Sequence, residues 1–291
     1  MLPLRRRQSK PGNLDPAGWL AGALSAGSEF TAFHRGGEGP PLVLIHGFTD
    51  TWRSWDLVRP GLERDHDVLA LTLPGHAGGP DLPEGAGERL MADAVERAMD
   101  CAGFETAHIA GNSLGGFVSL QMAERGRAES VVALAPAGGW LGDGRFPGDL
   151  SDQFRTLHEM LLAALPYIDA IVATPEGRRQ VTLLVTENFE HIPPELIAHQ
   201  VRGVAACDPA GRLIDLGQQI DWSLDSSNIE CPVRIVWGTG DRILPWPSAA
   251  ERFRTESLPH ADWVVLDGVG HCPQLDVPLE TTELIRGFTM T

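Results

Sequence analysis

Ser113 stands in Gly111-Asn112-Ser113-Leu114-Gly115-Gly116, a G-x-S-x-G stretch that follows an apolar run ending at Ala110 and precedes a helical pattern. A serine at such a strand–turn–helix junction sits at a very tight turn in a strained backbone conformation, which lifts its oxygen above the carboxyl edge of a sheet. Any side chain at 111 or 115 would collide with neighbouring strands or helix, which is why both are glycine. The helix after the turn points its first amides, and the positive end of its dipole, toward that oxygen. A serine hydroxyl is a weak nucleophile and needs a base. His271 lies in Gly268-Val269-Gly270-His271-Cys272-Pro273, just past the strand-like run 263–266. That position separates it from the other histidines of the chain. The base needs an acid that sets its tautomer and stabilises the imidazolium. Asp241, in Trp237-Gly238-Thr239-Gly240-Asp241-Arg242, follows the strand-like run 233–237. Asp267 and Asp276 are too near His271 in sequence to approach its far nitrogen easily. The chemistry of such a set is nucleophilic attack on an acyl carbon.

That attack also requires donors for the developing oxyanion. One is expected at the backbone N–H of Leu114, directly after the serine. The other is expected at the Phe48 amide, in the loop His46-Gly47-Phe48-Thr49-Asp50 that follows the apolar run 42–45. His46 is read as ordering this loop through hydrogen bonds. Phe48, Leu114, Trp52, Trp55 and Trp140 are expected as apolar walls of a substrate pocket. Trp52 and Trp55 are at helical spacing and fit core packing equally well. Cys272 adjoins the histidine but reads as a packing residue.

The elements that must position these groups alternate in type. Continuous apolar runs at 42–45, 68–73, 107–110 and 131–134, with an early strand at 31–34, suit strands buried on both faces of a parallel sheet. Helical patterns at 88–101 and 114–125 fall between them, and strand texture returns at 233–237 and 263–266 before a final helix at 278–288. This alternation predicts an α/β fold: a mostly parallel central sheet with helices on both faces. Residues 137–225 differ, with helical patches at 153–165 and 176–188 broken by prolines and no buried strand run, and they read as a mostly helical insertion. Residues 1–27 read as an N-terminal arm. The three arginines near the start are followed by a polar, proline-broken stretch and only about eight apolar residues, too few to span a membrane. A cytoplasmic location follows by default.

The bulk numbers fit. A chain of 291 residues, 43% hydrophobic and 21% charged, can bury a large core. A net charge of −16 repels nucleic-acid phosphates and anionic lipid, so neither is an expected partner. Four cysteines without a C-x-x-C pair read as neither a disulfide framework nor a zinc site. No motif marks a metal, phosphate or nucleotide site, so no cofactor is expected. Nothing in the sequence speaks to oligomeric state.

Taken together, His46-Gly47-Phe48, Leu73-Pro74-Gly75-His76, Gly111-Asn112-Ser113-Leu114-Gly115-Gly116, Trp237-Gly238-Thr239-Gly240-Asp241 and Gly270-His271 resemble the successive landmarks of the α/β-hydrolase superfamily. The order Ser113, Asp241, His271 is the order that architecture uses. The resemblance implies a core domain of residues 28–136 and 226–291 with a helical cap at 137–225. It departs from the pattern at Ala77-Gly78-Gly79, where relatives commonly carry glycine directly after the histidine. Dehalogenases and epoxide hydrolases of this superfamily use an aspartate where this chain has Ser113. The resemblance therefore implies a serine hydrolase that cleaves a small, mostly apolar carboxylic ester or lactone through an acyl-enzyme. The alternative is carbon–carbon bond hydrolysis of a diketone-like or ring-cleavage product. Relatives of that kind share Gly-Asn-Ser-x-Gly-Gly, but commonly carry tryptophan where this chain has Cys272, and prefer a glycine-rich oxyanion loop. Thioesterase, amidase or perhydrolase activity, or a binding role without catalysis, are minor alternatives.

Overall fold

The computed structural model describes residues 29–85, 87, 89–141, 147–207 and 210–290. The expected N-terminal arm, residues 1–27, lies outside the described residues. Seven strands form one sheet: β1 (Phe33–Gly36), β2 (Pro41–Ile45), β3 (Asp67–Leu71), β4 (Ala107–Asn112), β5 (Ala128–Leu134), β6 (Val233–Gly238) and β7 (Asp262–Leu266). Their order is β1-β3-β2-β4-β5-β6-β7. Strand β1 runs antiparallel to β3 and every other pairing is parallel.

The central strands carry unbroken apolar runs because both of their faces are covered. In β2, Leu42 and Leu44 join the apolar cluster on one face, and Val43 and Ile45 the cluster on the other. In β5, Val132 and Leu134 face one way while Val131 and Ala133 face the other. Each leucine, isoleucine or valine among them, fully buried, contributes about 1.5–3 kcal/mol. One face is covered by helices α1 (Leu90–Ala102) and α2 (Leu114–Glu124), through Met91, Val95, Met99, Val118 and Met122. The opposite face is covered by Trp55, Val58 and Leu62, and by Ile285 of the C-terminal helix (Pro278–Thr289).

Between β5 and β6 the described chain is helical, with α3 (Gly148–Ala164), α4 (Pro175–Thr182), α5 (Pro194–Ala206) and α6 (Ala210–Gln219). These segments hold an apolar cluster of their own. Leu161, Ile168, Val172, Phe189, Ile192 and Leu196 pack there, joined by Cys272 and Leu275 from the far end of the chain. Helix α4 stops at Thr182, short of the 176–188 helix the sequence suggests. The backbone beyond it is recruited elsewhere: Val185 O accepts from Cys272 N, and the amides of Glu187 and Asn188 donate to the Asp276 carboxylate. Helices α5 and α6 lie in the stretch where the sequence suggests only helical patches.

The chain leaves β2 to one side for β3, then crosses back for β4 on β2's other side. The carboxyl ends of β2 and β4 therefore flank a topological switch point, where open parallel sheets leave a crevice. The loop beginning at His46 and the turn carrying Ser113 both emerge there.

Candidate active site

Ser113 occupies the one-residue junction between β4 and α2, with φ 55° and ψ −115°. This is a costly conformation for a residue with a side chain, and the surroundings hold it. Ser113 N donates to Leu134 O at 2.9 Å, and Ser113 O accepts from Phe117 N and Ala137 N. A Cβ at Gly111 would come 2.1 Å from Gly115 O, and one at Gly115 would come 2.2 Å from Ile45 O. The two glycines thus let α2 start hard against β2 and β4. As the first residue of α2, Leu114 has an N–H without an intrahelical acceptor. Among the described residues, neither it nor the Phe48 amide donates to another protein group.

The Phe48 loop is fixed from below by His46. Its Nδ1–H donates to Gly47 O at 2.6 Å, and its Nε2 accepts from Leu73 N at 2.9 Å. Both bonds require the neutral ring, and burial beside His76 holds the His46 pKa well below the ordinary value.

Asp241 and His271 approach from the ends of β6 and β7. Asp241 Oδ2 accepts from His271 Nδ1 at 2.8 Å, with side chains only 0% and 4% exposed. Asp241 Oδ1 accepts from the amides of Ile243 and Leu244 at 2.9 and 2.8 Å. The carboxylate is thereby held in one orientation, and it commits the histidine proton to Nδ1, which leaves Nε2 as the basic nitrogen. The third link is open. Ser113 Oγ has no hydrogen-bond partner among the described residues and meets His271 across the wall of one cavity. Bonds of this kind tighten when substrate fills the site.

Two groups to which the sequence assigns no such task hold the histidine loop. Asn112 Nδ2 donates to His271 O at 3.0 Å and to Leu134 O at 3.1 Å, while its Oδ1 accepts from Gln274 Nε2 and Cys272 Sγ. Asp276, buried, accepts from Gly270 N, Glu187 N, Asn188 N and Asn188 Nδ2. It therefore ties the loop before His271 to the helical segment. Cys272 is buried, and desolvation pushes its thiol well above the ordinary range, which keeps it protonated.

Two adjacent chambers meet at Ser113, sharing Phe48, Phe154 and Ile243 as walls. One is apolar, lined by residues such as Leu114, Leu150, Leu213, Ile220 and Trp222. The other contains His271, Cys272, Asp50 and Gln200 beside Leu157, Leu161 and Val201. Phe48 lines both chambers and Leu114 the apolar one, whereas Trp52, Trp55 and Trp140 line neither. Thr51 caps a short turn that presses Trp55 fully into the core against Leu42 and Leu44. The same turn stacks Trp52 on His34 and bonds its Nε1 to Thr31. Trp140 packs behind Trp222, ring centroids 5.5 Å apart, and Trp222 faces the apolar chamber in its place.

Burial also sets a pH dependence. His76 and His199 are held down to about 4, from an ordinary value of 6.5, chiefly by desolvation. They stay neutral in the folded chain but take up protons near 6.5 when unfolded. Their contribution is complete above 6.5 and is lost as pH falls toward 4. Asp50 acts in the opposite sense. Desolvation raises it from 3.8 to about 6, so its contribution is present below 3.8 and lost as pH rises through 6. Two groups outweigh one, and the unfolding midpoint is expected to climb between pH 4 and 6.5 in differential scanning calorimetry. A midpoint that is flat or falls over that range contradicts the assignment.

Residues 42–284 match the model of the alpha/beta hydrolase family. The sequence is 33% identical to epoxide hydrolase EphH of Mycobacterium tuberculosis over 200 residues, 68% of this chain and 93% of the relative. It is 29% identical to pimeloyl-[acyl-carrier protein] methyl ester esterase of Aromatoleum aromaticum over 266 residues, 85% and 97% of the two chains. Among solved structures, a thermophilic esterase from Thermogutta terrifontis matches with a TM-score of 0.68 at 22% identity, covering 88% of this chain and 91% of the other. At that identity the likeness is one of fold. No helix among the described residues is long and apolar enough to cross a membrane.

Proposed function

The chain belongs to the alpha/beta hydrolase family, a family of hydrolases, and from that premise we propose that it cleaves a carboxylic ester or lactone with Ser113, His271 and Asp241 as catalytic triad. The observation that carries this reading is the buried Asp241–His271 bond at a cavity whose wall also holds Ser113. In the proposed reaction His271 Nε2 takes the Ser113 proton as Oγ attacks the carbonyl carbon. The resulting oxyanion lies between the amides of Phe48 and Leu114. Two such donors matter, since loss of one typically costs about 10²–10³ in rate. Collapse expels the alcohol, protonated by His271, and leaves an acyl-Ser113 ester. Water activated by the same nitrogen then releases the acid.

The nucleophile decides between this chemistry and that named for the 33% identical relative. Opening an epoxide with aspartate gives an ester, which water can cleave. Opening it with serine gives an ether, which has no carbonyl for activated water to attack. Ser113 therefore favours an acyl substrate. Asn112, the residue shared with carbon–carbon bond hydrolases, has a structural task at the His271 loop that accounts for it without such a substrate. Residues 137–225 act as a cap in this reading, supplying Phe154, Leu213 and Trp222 to the apolar chamber, which suits an apolar acyl group.

A serine-directed fluorophosphonate tests the proposal. The folded chain is expected to take up one equivalent, with the adduct mapped to the peptide holding Ser113. A parallel panel of p-nitrophenyl esters, lactones, thioesters, β-diketones and epoxides is expected to show turnover of the esters or lactones. A folded chain that is neither labelled nor active points to a binding role. Cleavage of the diketones alone transfers the assignment to carbon–carbon hydrolysis.

A further inference from the structure

We propose that Asp50 and Gln200 recognise the leaving group of the substrate, and that this leaving group is an alcohol carrying either a further hydroxyl or a cationic nitrogen. The inference rests on the ester-hydrolase reading and names the substrate class within it.

The first step is to orient the substrate. The leaving alcohol must accept its proton from His271, so it departs on the histidine side. Of the two chambers, the second has His271 in its wall; the apolar chamber has Ser113 but not His271. The acyl group therefore extends into the apolar chamber, and the alcohol into the chamber that contains Asp50 and Gln200.

Polar side chains in that second chamber are few, and most are already committed. The hydroxyl of Thr49 donates to Phe48 O, and that of Thr182 donates to Arg178 O. Asp50 differs. Its Oδ1 accepts from Thr51 N at 2.8 Å and its Oδ2 from Gln200 Nε2 at 3.2 Å. A carboxylate has about four acceptor positions, so two remain. The residue is half-buried and lines this chamber. Among the described residues, no arginine or lysine lines this chamber and Asp50 forms no ion pair. A carboxyl in apolar surroundings without a cation is disfavoured in its charged form, and desolvation raises it to about 6. A ligand that donates a hydrogen bond or brings a positive charge satisfies what the protein leaves open. Gln200, on α5, donates to the carboxylate and lines the same chamber.

The mechanism gives Asp50 no proton to move, and neither of its two partners, the Thr51 amide and the Gln200 side chain, is a cation. A polyol ester, such as a monoacylglycerol, would place a hydroxyl at the pair. A choline-type ester would place a cation there.

The test uses two matched substrate pairs: glycerol 1-butyrate against propyl butyrate, and butyrylcholine against its neutral isostere 3,3-dimethylbutyl butyrate. The native chain is expected to favour one polar ester over its isostere by at least about tenfold in kcat/KM, a modest share of what a hydrogen-bonding site can discriminate. Which pair shows the preference separates hydroxyl from cation. In Asp50→Asn and in Gln200→Leu the preference for that pair is expected to fall toward one. Each ratio is internal to one variant, so a general loss of activity does not mimic the effect. Equal rates within both pairs for the native chain overturn the proposal, as does a preference that survives unchanged in both variants. Failure to cleave any of the four esters, together with no fluorophosphonate labelling, overturns the hydrolase reading itself.

Discussion

Ser113→Ala is expected to lower kcat/KM toward the best ester of the panel by roughly 10⁴-fold or more, and to abolish fluorophosphonate labelling. The substitution removes only Oγ, and that atom has no hydrogen-bond partner among the described residues. What holds position 113 is backbone: the bonds to Leu134, Phe117 and Ala137, and the close contacts of Gly111 and Gly115. All of these persist in the variant. Alanine pays a conformational cost at φ 55° similar to that of serine, so the unfolding midpoint should stay within about 3 °C of the native chain. Activity and stability are thus expected to separate cleanly. Retention of more than about a tenth of the activity would sink the assignment of Ser113 as nucleophile, because a water attacking directly would lose the covalent intermediate altogether.

The sequence places Ser113, Asp241 and His271 at strand ends, and the structure finds each on the carboxyl edge of the sheet. These positions were legible because each depends on local pattern. A glycine flank permits a turn, and an apolar run marks the strand that delivers it. What could not be read were partners distant in the chain. Asn112 meets His271 across 159 residues, Glu187 meets Asp276 across 89, and Asp50 meets Gln200 across 150. Proximity of Asp276 to His271 in sequence correctly argues against its reaching the far nitrogen, yet gives no hint of the four N–H groups it gathers. The three tryptophans show another limit. Helical spacing puts Trp52 and Trp55 near the oxyanion loop, but a short turn can present its rings either to the cavity or to the sheet. Thr51, by capping that turn, directs them to the sheet. The helical segment was legible as helical, while its pocket residues carry no motif. Phe154, Leu213 and Trp222 are ordinary apolar residues whose role depends wholly on how the segment folds beside Ser113.

Asp241→Asn is expected to lower kcat by about 10³- to 10⁴-fold with the fold intact. The substitution keeps the shape of the side chain, and the amide oxygen can still accept from Ile243 N and Leu244 N. The amide nitrogen then faces His271 Nδ1. Two N–H groups cannot point at one another, so the ring is driven to the tautomer with its proton on Nε2. That nitrogen becomes a donor toward Ser113 and cannot act as base. The imidazolium formed during attack also loses the buried negative charge beside it, at a site where both side chains are at most 4% exposed. Neither carboxylate near His271 in sequence is placed to take over. Asp276 is held by Gly270, Glu187 and Asn188, and Asp267 bonds the Thr239 hydroxyl outside the site. The loss should be partly recovered at high pH, where hydroxide supplies the missing base. Fluorophosphonate labelling should slow in proportion rather than vanish, since Ser113 remains. Full activity in Asp241→Asn would mean that the 2.8 Å contact to His271 does not orient the base, and the acid would have to be sought elsewhere.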